Sequence, residues 1–157
     1  MKILFVCLGN ICRSPLAEAI FNHKVSVLKL GHLFEADSCG TSNYNLGDSP
    51  DERTLVCAYK NSIPIAHQAR QLRKSDLQNF DLILAMDKNN LNHVLALCNP
   101  EQALKVKLMR SYDPLGIGDV PDPYYGDEKD FELVFKILNR SIDRLIEQLT
   151  ENPVSIS

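Results

Sequence analysis

The chain has 157 residues and a mass of 17.7 kDa, the size of one domain that buries roughly 70% of its unfolded surface and needs neither disulfide nor metal to fold. Hydrophobic residues make up 45% and charged residues 24%; 17 Lys and Arg against 20 Asp and Glu leave a formal charge of −3 and an isoelectric point near 5.8. That balance argues against nucleic-acid and membrane-surface partners, which need clustered basic charge, and no apolar run approaches the ~18 residues of a membrane span.

In chain order, Ile3-Leu4-Phe5-Val6 is a continuous apolar run that predicts a buried strand of a parallel sheet. Ser14-Pro15 offers an N-cap and a proline at the first helical position, and Leu16, Ala19, Ile20, His23, Val27 and Leu30 continue at helical spacing. Phe34 to Ser38 reads as a second strand, followed by a Gly/Ser/Asn-rich loop. Ser49-Pro50-Asp51-Glu52 repeats the cap logic ahead of Leu55, Val56 and Tyr59, with Glu52 at the capping-box position. Ser75 and Gln78 form another such pair. Residues 81–86 are a strongly apolar strand, Leu91, Val94, Leu95 and Leu97 mark the helix after it, and residues 105–109 alternate like an edge strand. A Pro-, Gly- and Asp-rich loop spans 112–127, and the last helix carries Phe131, Val134, Phe135, Leu138, Ile142, Leu145, Ile146 and Leu149 on one face. Strands alternating with helices predict an α/β fold on a parallel sheet, with the ligand outside the carboxyl ends of the strands. The first of these ends at Cys7.

The five cysteines are an odd number with no export signal ahead of them, which predicts a reducing, cytoplasmic setting. No pair has Cys-x2-Cys spacing, so no structural zinc site is expected, and Cys39, Cys57 and Cys98 read as small buried hydrophobes.

The chemistry gathers in Cys7-Leu8-Gly9-Asn10-Ile11-Cys12-Arg13-Ser14-Pro15. Backbone N–H groups in so short a strand-to-helix loop lack partners, and Gly9 and Asn10 tolerate the positive φ of a concave nest. The helix that follows turns its positive dipole end inward, so the loop is a cradle for an oxyanion such as phosphate. Arg13 adds a planar fork for two phosphate oxygens. Cys7 at the base of the cradle is placed to react as a thiolate, and the set specifies phosphoryl transfer to cysteine. Cys-x5-Arg alone is a weak pattern; the preceding strand, the Gly-Asn inside it and the Ser-Pro after it strengthen it. The bland reading is a buried cysteine in an ordinary βα turn. The acid such chemistry needs is offered by Asp122 in Val120-Pro121-Asp122-Pro123-Tyr124-Tyr125-Gly126, where prolines stiffen the loop and tyrosines supply an aromatic wall. A plain surface turn explains that segment equally well, because no local rule brings residue 122 beside residue 7.

The stretch from Val6 to Pro15, together with Asp122-Pro123-Tyr124-Tyr125-Gly126, closely resembles the low-molecular-weight protein tyrosine phosphatases. The likeness extends from Met1 to about Leu149, with Asp37-Ser38 and Ala69-Arg70-Gln71 between the two motifs. It implies one three-layer domain over residues 1–157 with a four-stranded parallel sheet flanked by helices, and residues 151–157 as a loose tail. It also implies hydrolysis of protein phosphotyrosine and small aryl phosphates, hence acid phosphatase activity, through a cysteinyl-phosphate with no metal or other cofactor. By position, Cys7 would be nucleophile, Arg13 phosphate clamp, and Asp122 general acid and then base. Ser14 matches the hydroxyl that bonds the thiolate, and Asn10, Ser38 and His67 match the network that holds the loop. Leu8, Ile11, Tyr44, Tyr124 and Tyr125 match the mouth of the pocket, with Gly9 and Cys12 completing the binding loop. Ala66 and Cys39 depart from the family, where serine and alanine are common. The partners implied are phosphotyrosine-bearing proteins and phosphate-like oxyanions, with the protein a monomer or weak dimer.

Three rivals are weaker. An arsenate reductase on this fold needs a relay pair of cysteines, and Cys98 has no neighbour at short spacing. A protein-arginine phosphatase carries Thr where Ile11 stands. A silent phosphotyrosine-binding module would lack Cys7 or Asp122. Cys12, five residues after Cys7, is a candidate resolving thiol that would trap an oxidised Cys7 as a disulfide; the alternative is that it fills space beneath the loop.

Overall fold

The computed structural model describes residues 1–151. Its sheet has four parallel strands, β1 (Lys2–Cys7), β2 (Glu35–Gly40), β3 (Leu82–Ala85) and β4 (Val106–Leu108), in the order β2-β1-β3-β4. The two central strands are the most apolar, as strands covered on both faces must be. Alternate residues divide between the faces. Ile3, Phe5, Cys7, Leu82 and Leu84 pack beneath α1 (Arg13–Val27) and α6 (Glu128–Glu151), whereas Leu4, Val6, Cys39 and Ile83 pack against Leu77 and Phe80 and against Val94 of α4 (Lys88–Leu97). Two shorter helices, α2 (Glu52–Lys60) and α3 (Lys74–Asn79), a single turn, α5 (Pro100–Ala103), and 3-10 turns at Gly31–Leu33 and Met109–Tyr112 complete the described elements. None of the described helices is long and apolar enough to cross a membrane.

Several local expectations need correction. Helix α1 is covered by the sheet on one side and α6 on the other, so Phe21 and Val25 are buried while Val27 is 66% exposed. It starts at Arg13 with Cys12 as N-cap, and Ser14 and Pro15 lie inside its first turn. The N-cap of α2 is Asp51, whose carboxylate accepts from the Arg53 N–H at 2.9 Å, rather than Ser49. At α3 the carboxylate of Asp76, not a Ser75–Gln78 pair, accepts from the Arg73 N–H at 2.8 Å. Strand β2 runs two residues beyond Ser38, to Gly40, and its partly polar sequence suits an edge strand. Helix α6 includes Glu151, and 152–157 of the expected tail lie outside the described residues.

Candidate active site

The loop between β1 and α1 folds into a nest because one residue takes the left-handed region: Asn10, at φ 57°. Gly9 does not adopt positive φ, contrary to expectation; a Cβ there would lie 2.7 Å from Asn45 Nδ2, the end of a side chain that can swing aside. Gly40, which sequence reasoning passed over, is the glycine the packing requires. The end of β2 presses against the loop so closely that a Cβ on Gly40 would stand 2.6 Å from the Leu8 carbonyl oxygen. Just beyond it, the N–H groups of Thr41 and Ser42 donate to the carbonyls of Cys7 and Leu8 at 2.9 and 3.0 Å.

Asn10 fastens the loop from behind. It is 1% exposed, and its Nδ2 donates to Ser14 Oγ at 2.9 Å and to Ser38 Oγ at 3.0 Å. Its Oδ1 faces His67 Nε2 at 2.7 Å and accepts from the Arg70 N–H at 3.0 Å. Ser38 Oγ donates to Glu18 Oε1 at 2.7 Å, and His67 Nδ1 lies 3.2 Å from the same carboxylate. Around Cys7, Ser14 Oγ is 2.9 Å from Sγ and the Asn10 N–H donates to it at 3.3 Å. Ser14 Oγ accepts from Asn10, and its own proton has two acceptors in reach, the sulfur and the Cys39 carbonyl at 3.4 Å. The side chains of Asn10 and Ser14, grouped with the binding loop by resemblance, therefore stand behind the cradle, and neither lines the cleft.

The front of the loop opens into a cleft of about 250 Å³. Cys7, Cys12 and Arg13 lie in it with the loop residues Leu8, Gly9 and Ile11, and Tyr44, Asn45, Asp122, Tyr124 and Tyr125 line the rest. The Gly9, Ile11 and Cys12 N–H groups bond to no acceptor among the described residues, and the first-turn amides of α1 have no intrahelical one. Arg13 is buried; its Nη1 donates to Asp87 Oδ2 at 2.7 Å and the Val120 carbonyl at 2.9 Å, and its Nη2 is 3.6 Å from Asp122 Oδ2. Burial works against its charge, and Cys7, Asp87 and Asp122 outweigh that and raise its pKa above the usual guanidinium value. Asp87, unforeseen from sequence, also caps α4 by accepting from the Asn90 N–H at 2.8 Å. Its signal was positional, an acidic residue just past the carboxyl end of a strand.

The acid loop is fixed more lightly. Asp122 is 43% exposed at its side chain and accepts from the Tyr124 N–H at 3.1 Å. Tyr124 and Tyr125 meet edge to face at 4.9 Å, and Tyr125 is 96% exposed. Cys12 is buried, and burial, then the Asp51 carboxylate and Cys7, push its thiol up to about 12. Among the described residues, metal-type ligands converge only at Glu18, Asp37 and His67, whose side chains already pair with one another and with Arg70 and Ser38.

A nucleophile-sized atom at the floor of an amide-lined nest, a buried cation beside it and a carboxylate across the mouth define a phosphate-handling hydrolase of the cysteine type. The low molecular weight phosphotyrosine protein phosphatase family profile matches residues 2–155, and the chain belongs to that family. A low molecular weight phosphotyrosine protein phosphatase of Gallus gallus is 44% identical over 149 residues, 94% of each chain. Among solved structures, a protein tyrosine phosphatase from Entamoeba histolytica superposes with a TM-score of 0.94 at 38% identity, covering 97% of this chain and 98% of the other. A drosophila arginine phosphatase does so with 0.85 at 32% identity, covering 94% and 97%.

Proposed function

We propose that this chain, acting as one domain, hydrolyses protein phosphotyrosine and small aryl phosphates through a cysteinyl-phosphate on Cys7. Cys7 Sγ attacks phosphorus while the loop amides and Arg13 hold the equatorial oxygens, and the phosphorus–oxygen bond to the aryl group breaks. Asp122 gives its proton to the departing phenolate oxygen. In the second step Asp122 takes a proton from the water that attacks the phosphocysteine, releasing inorganic phosphate and the Cys7 thiolate. The Asn10 N–H donates to the sulfur, and the Ser14 hydroxyl, 2.9 Å away, can turn its proton toward it as the thiolate leaves. No metal or cofactor takes part in these steps. The observation that carries the reading is the convergence of Cys7, Arg13 and Asp122 on one cleft, joined by the 3.6 Å Arg13–Asp122 contact.

The substrate class follows from the cleft walls. Leu8, Ile11, Tyr44, Tyr124 and Tyr125 give apolar, flat surfaces suited to a phenyl ring, and Ile11 offers a guanidinium no hydrogen bond. The likeness to an arginine phosphatase makes phosphoarginine the second reading. One assay separates them: release of phosphate from matched phosphotyrosine and phosphoarginine peptides, with EDTA present. We expect the tyrosine peptide to be preferred, undiminished by EDTA, and Cys7→Ser to lose more than about 10³-fold. Preference for phosphoarginine, or Cys7→Ser within tenfold of wild type, would refute the assignment.

The same reading makes the protein cytoplasmic, a monomer or weak dimer, with Cys12 guarding Cys7. Peroxide converts the Cys7 thiolate to a sulfenic acid, and the Cys12 thiol displaces hydroxide from that sulfur to leave a disulfide, which added thiol reduces. The high pKa of Cys12 keeps it protonated at neutral pH, so trapping should quicken as pH rises. After peroxide and then thiol, wild type should regain most of its activity and Cys12→Ser much less; equal recovery would leave Cys12 as packing.

A further inference from the structure

A cavity larger than the catalytic cleft lies beside it. It is a groove of about 650 Å³ between α2 and α6. Its floor is Cys57 and Phe131, both buried, and its apolar lips are Val56 and the partly buried Phe135. The polar groups of the floor are already satisfied locally: Cys57 Sγ donates to the Phe131 carbonyl at 3.8 Å, and Asn61 Nδ2 donates to the Cys57 carbonyl at 2.9 Å. A polar ligand group reaching that floor would find no partner, so the floor favours an apolar side chain. The rim is charged, and its Lys60–Glu128 pair is exposed on both sides, a contact worth little and easily opened.

Arg53 joins this groove to the cleft. Its guanidinium lies 4.6 Å from the Phe131 ring in the groove and 5.6 Å from the Tyr124 ring on the cleft wall. It is held between them by Asp51, whose carboxylate accepts from Nε and Nη2 at 3.0 Å, and by the Gly126 carbonyl at 3.3 Å. The two apolar surfaces are thus at most about 10 Å apart, the reach of three residues of extended chain at ~3.3 Å each. The cleft itself, at about 250 Å³, falls below the usual range for sites that enclose a drug-sized ligand. It therefore takes the phosphoaryl head and leaves the flanking peptide on the surface, where Arg53 and the groove lie.

We propose that the α2–α6 groove is a second recognition site for the phosphoprotein substrate, receiving one apolar side chain two to three residues from the phosphotyrosine. This rests on the phosphatase reading and adds a sequence preference to it. Val56 is the residue that sets the preference, because it is 48% exposed at the lip of the groove and lies outside the cleft.

The test compares two phosphotyrosine peptides that differ only in carrying Leu or Ser at the positions two and three residues to either side, with p-nitrophenyl phosphate alongside. For wild type, kcat/KM should favour the leucine peptide by about tenfold, through KM, the discrimination expected for one side chain in an apolar pocket. Val56→Asp should abolish that preference and leave p-nitrophenyl phosphate and the serine peptide within twofold, which also shows that the variant folds. Equal kcat/KM for the two peptides in wild type, or a preference that survives Val56→Asp, would overturn the proposal. So would dissociation of a wild-type dimer by Val56→Asp in sedimentation, which would assign the groove to a second copy of the chain. Absence of turnover on all three substrates would instead defeat the phosphatase reading, and the groove's role with it.

Discussion

The two segments that meet at the cleft are built in different ways. Residues 8–12 bridge a central strand and a buried helix, and behind them Asn10, Ser14, Ser38, His67 and Glu18 form one continuous set of hydrogen bonds, with Thr41, Ser42, Asn45 and Asp51 bonding the loop carbonyls. Residues 113–127 form a long, mostly exposed segment, anchored at its base and at buried Val120, whose N–H donates to the Met86 carbonyl at 2.7 Å and whose carbonyl accepts from Arg13, while the functional carboxylate itself is touched only lightly. The base is Asp113, whose buried carboxylate accepts from Arg110 Nε at 2.8 Å and from Arg140 Nε and Nη2 at 2.8 and 2.9 Å. At Asp122 the neighbours are Arg13 at 3.6 Å and its own turn. An anion cradle gains from donors fixed before the substrate arrives, because reorganisation during reaction would cost part of the stabilisation. A proton donor has to serve two steps on opposite sides of an intermediate, so lighter fixation suits it.

That contrast predicts that chemistry and stability separate in the acid loop and travel together in the cradle. Asp122→Asn should slow cleavage of phosphotyrosine peptide by about 10²-fold or more, and that of p-nitrophenyl phosphate much less in the first step. Its melting temperature should stay within about 2 °C of wild type, since an exposed carboxylate is replaced by an isostere. Equal first-step losses on both substrates in single-turnover kinetics would assign the acid elsewhere. Asn10→Ala should cost activity and stability at once. It forces Ala into the left-handed region and strips partners from Ser14, Ser38, His67 and the Arg70 N–H, a loss of at least ~2 kcal/mol, or a melting temperature lower by about 4–8 °C. A variant as stable and active as wild type would break the comparison.

The smallest effect concerns the anchor. Hydrogen bonds from Arg140 hold the Asp113 carboxyl at about 2 against the opposing cost of burial, with Leu115 N–H and Arg110 assisting. A carboxyl whose folded pKa lies below its unfolded value stabilises the protein above about pH 4, and that contribution, on the order of 1–2 kcal/mol, fades as pH falls toward 2. Asp113→Asn should lower stability at neutral pH and flatten its fall between pH 4 and 2, read by thermal melts across that range. An unchanged slope would mean that other carboxylates govern acid unfolding.

What the sequence disclosed follows the same division. The cradle was legible because its parts are contiguous: an apolar run, a nucleophile, Gly-Asn and an arginine within thirteen residues. The amphipathic last helix was legible through its 3.6-residue period, although Ile137 and Ser141 are also buried there. Residues that act across the fold were not. Asp87 supports Arg13 from the end of another strand, Asn45 reaches Gly9 from a loop, and Gly40 matters only because β2 presses on Leu8. Asp51 was read as part of a proline-led cap, whereas its own side chain makes the bond. That residue 122 belongs beside residue 7 came from resemblance, as no local rule spans so long a separation.

The claim that Cys7 carries the phosphoryl group can be tested by trapping it. The Asp122→Asn variant should form the intermediate from p-nitrophenyl phosphate, whose leaving group needs little protonation, and then hydrolyse it slowly for want of the general base. Quenched in denaturant within the burst, digested and read by mass spectrometry, the peptide containing Cys7 should carry one added phosphoryl group, absent from the Cys7→Ser, Asp122→Asn double variant. Turnover with no phosphorylated Cys7 peptide, or a phosphoryl group on any other residue, would contradict the account.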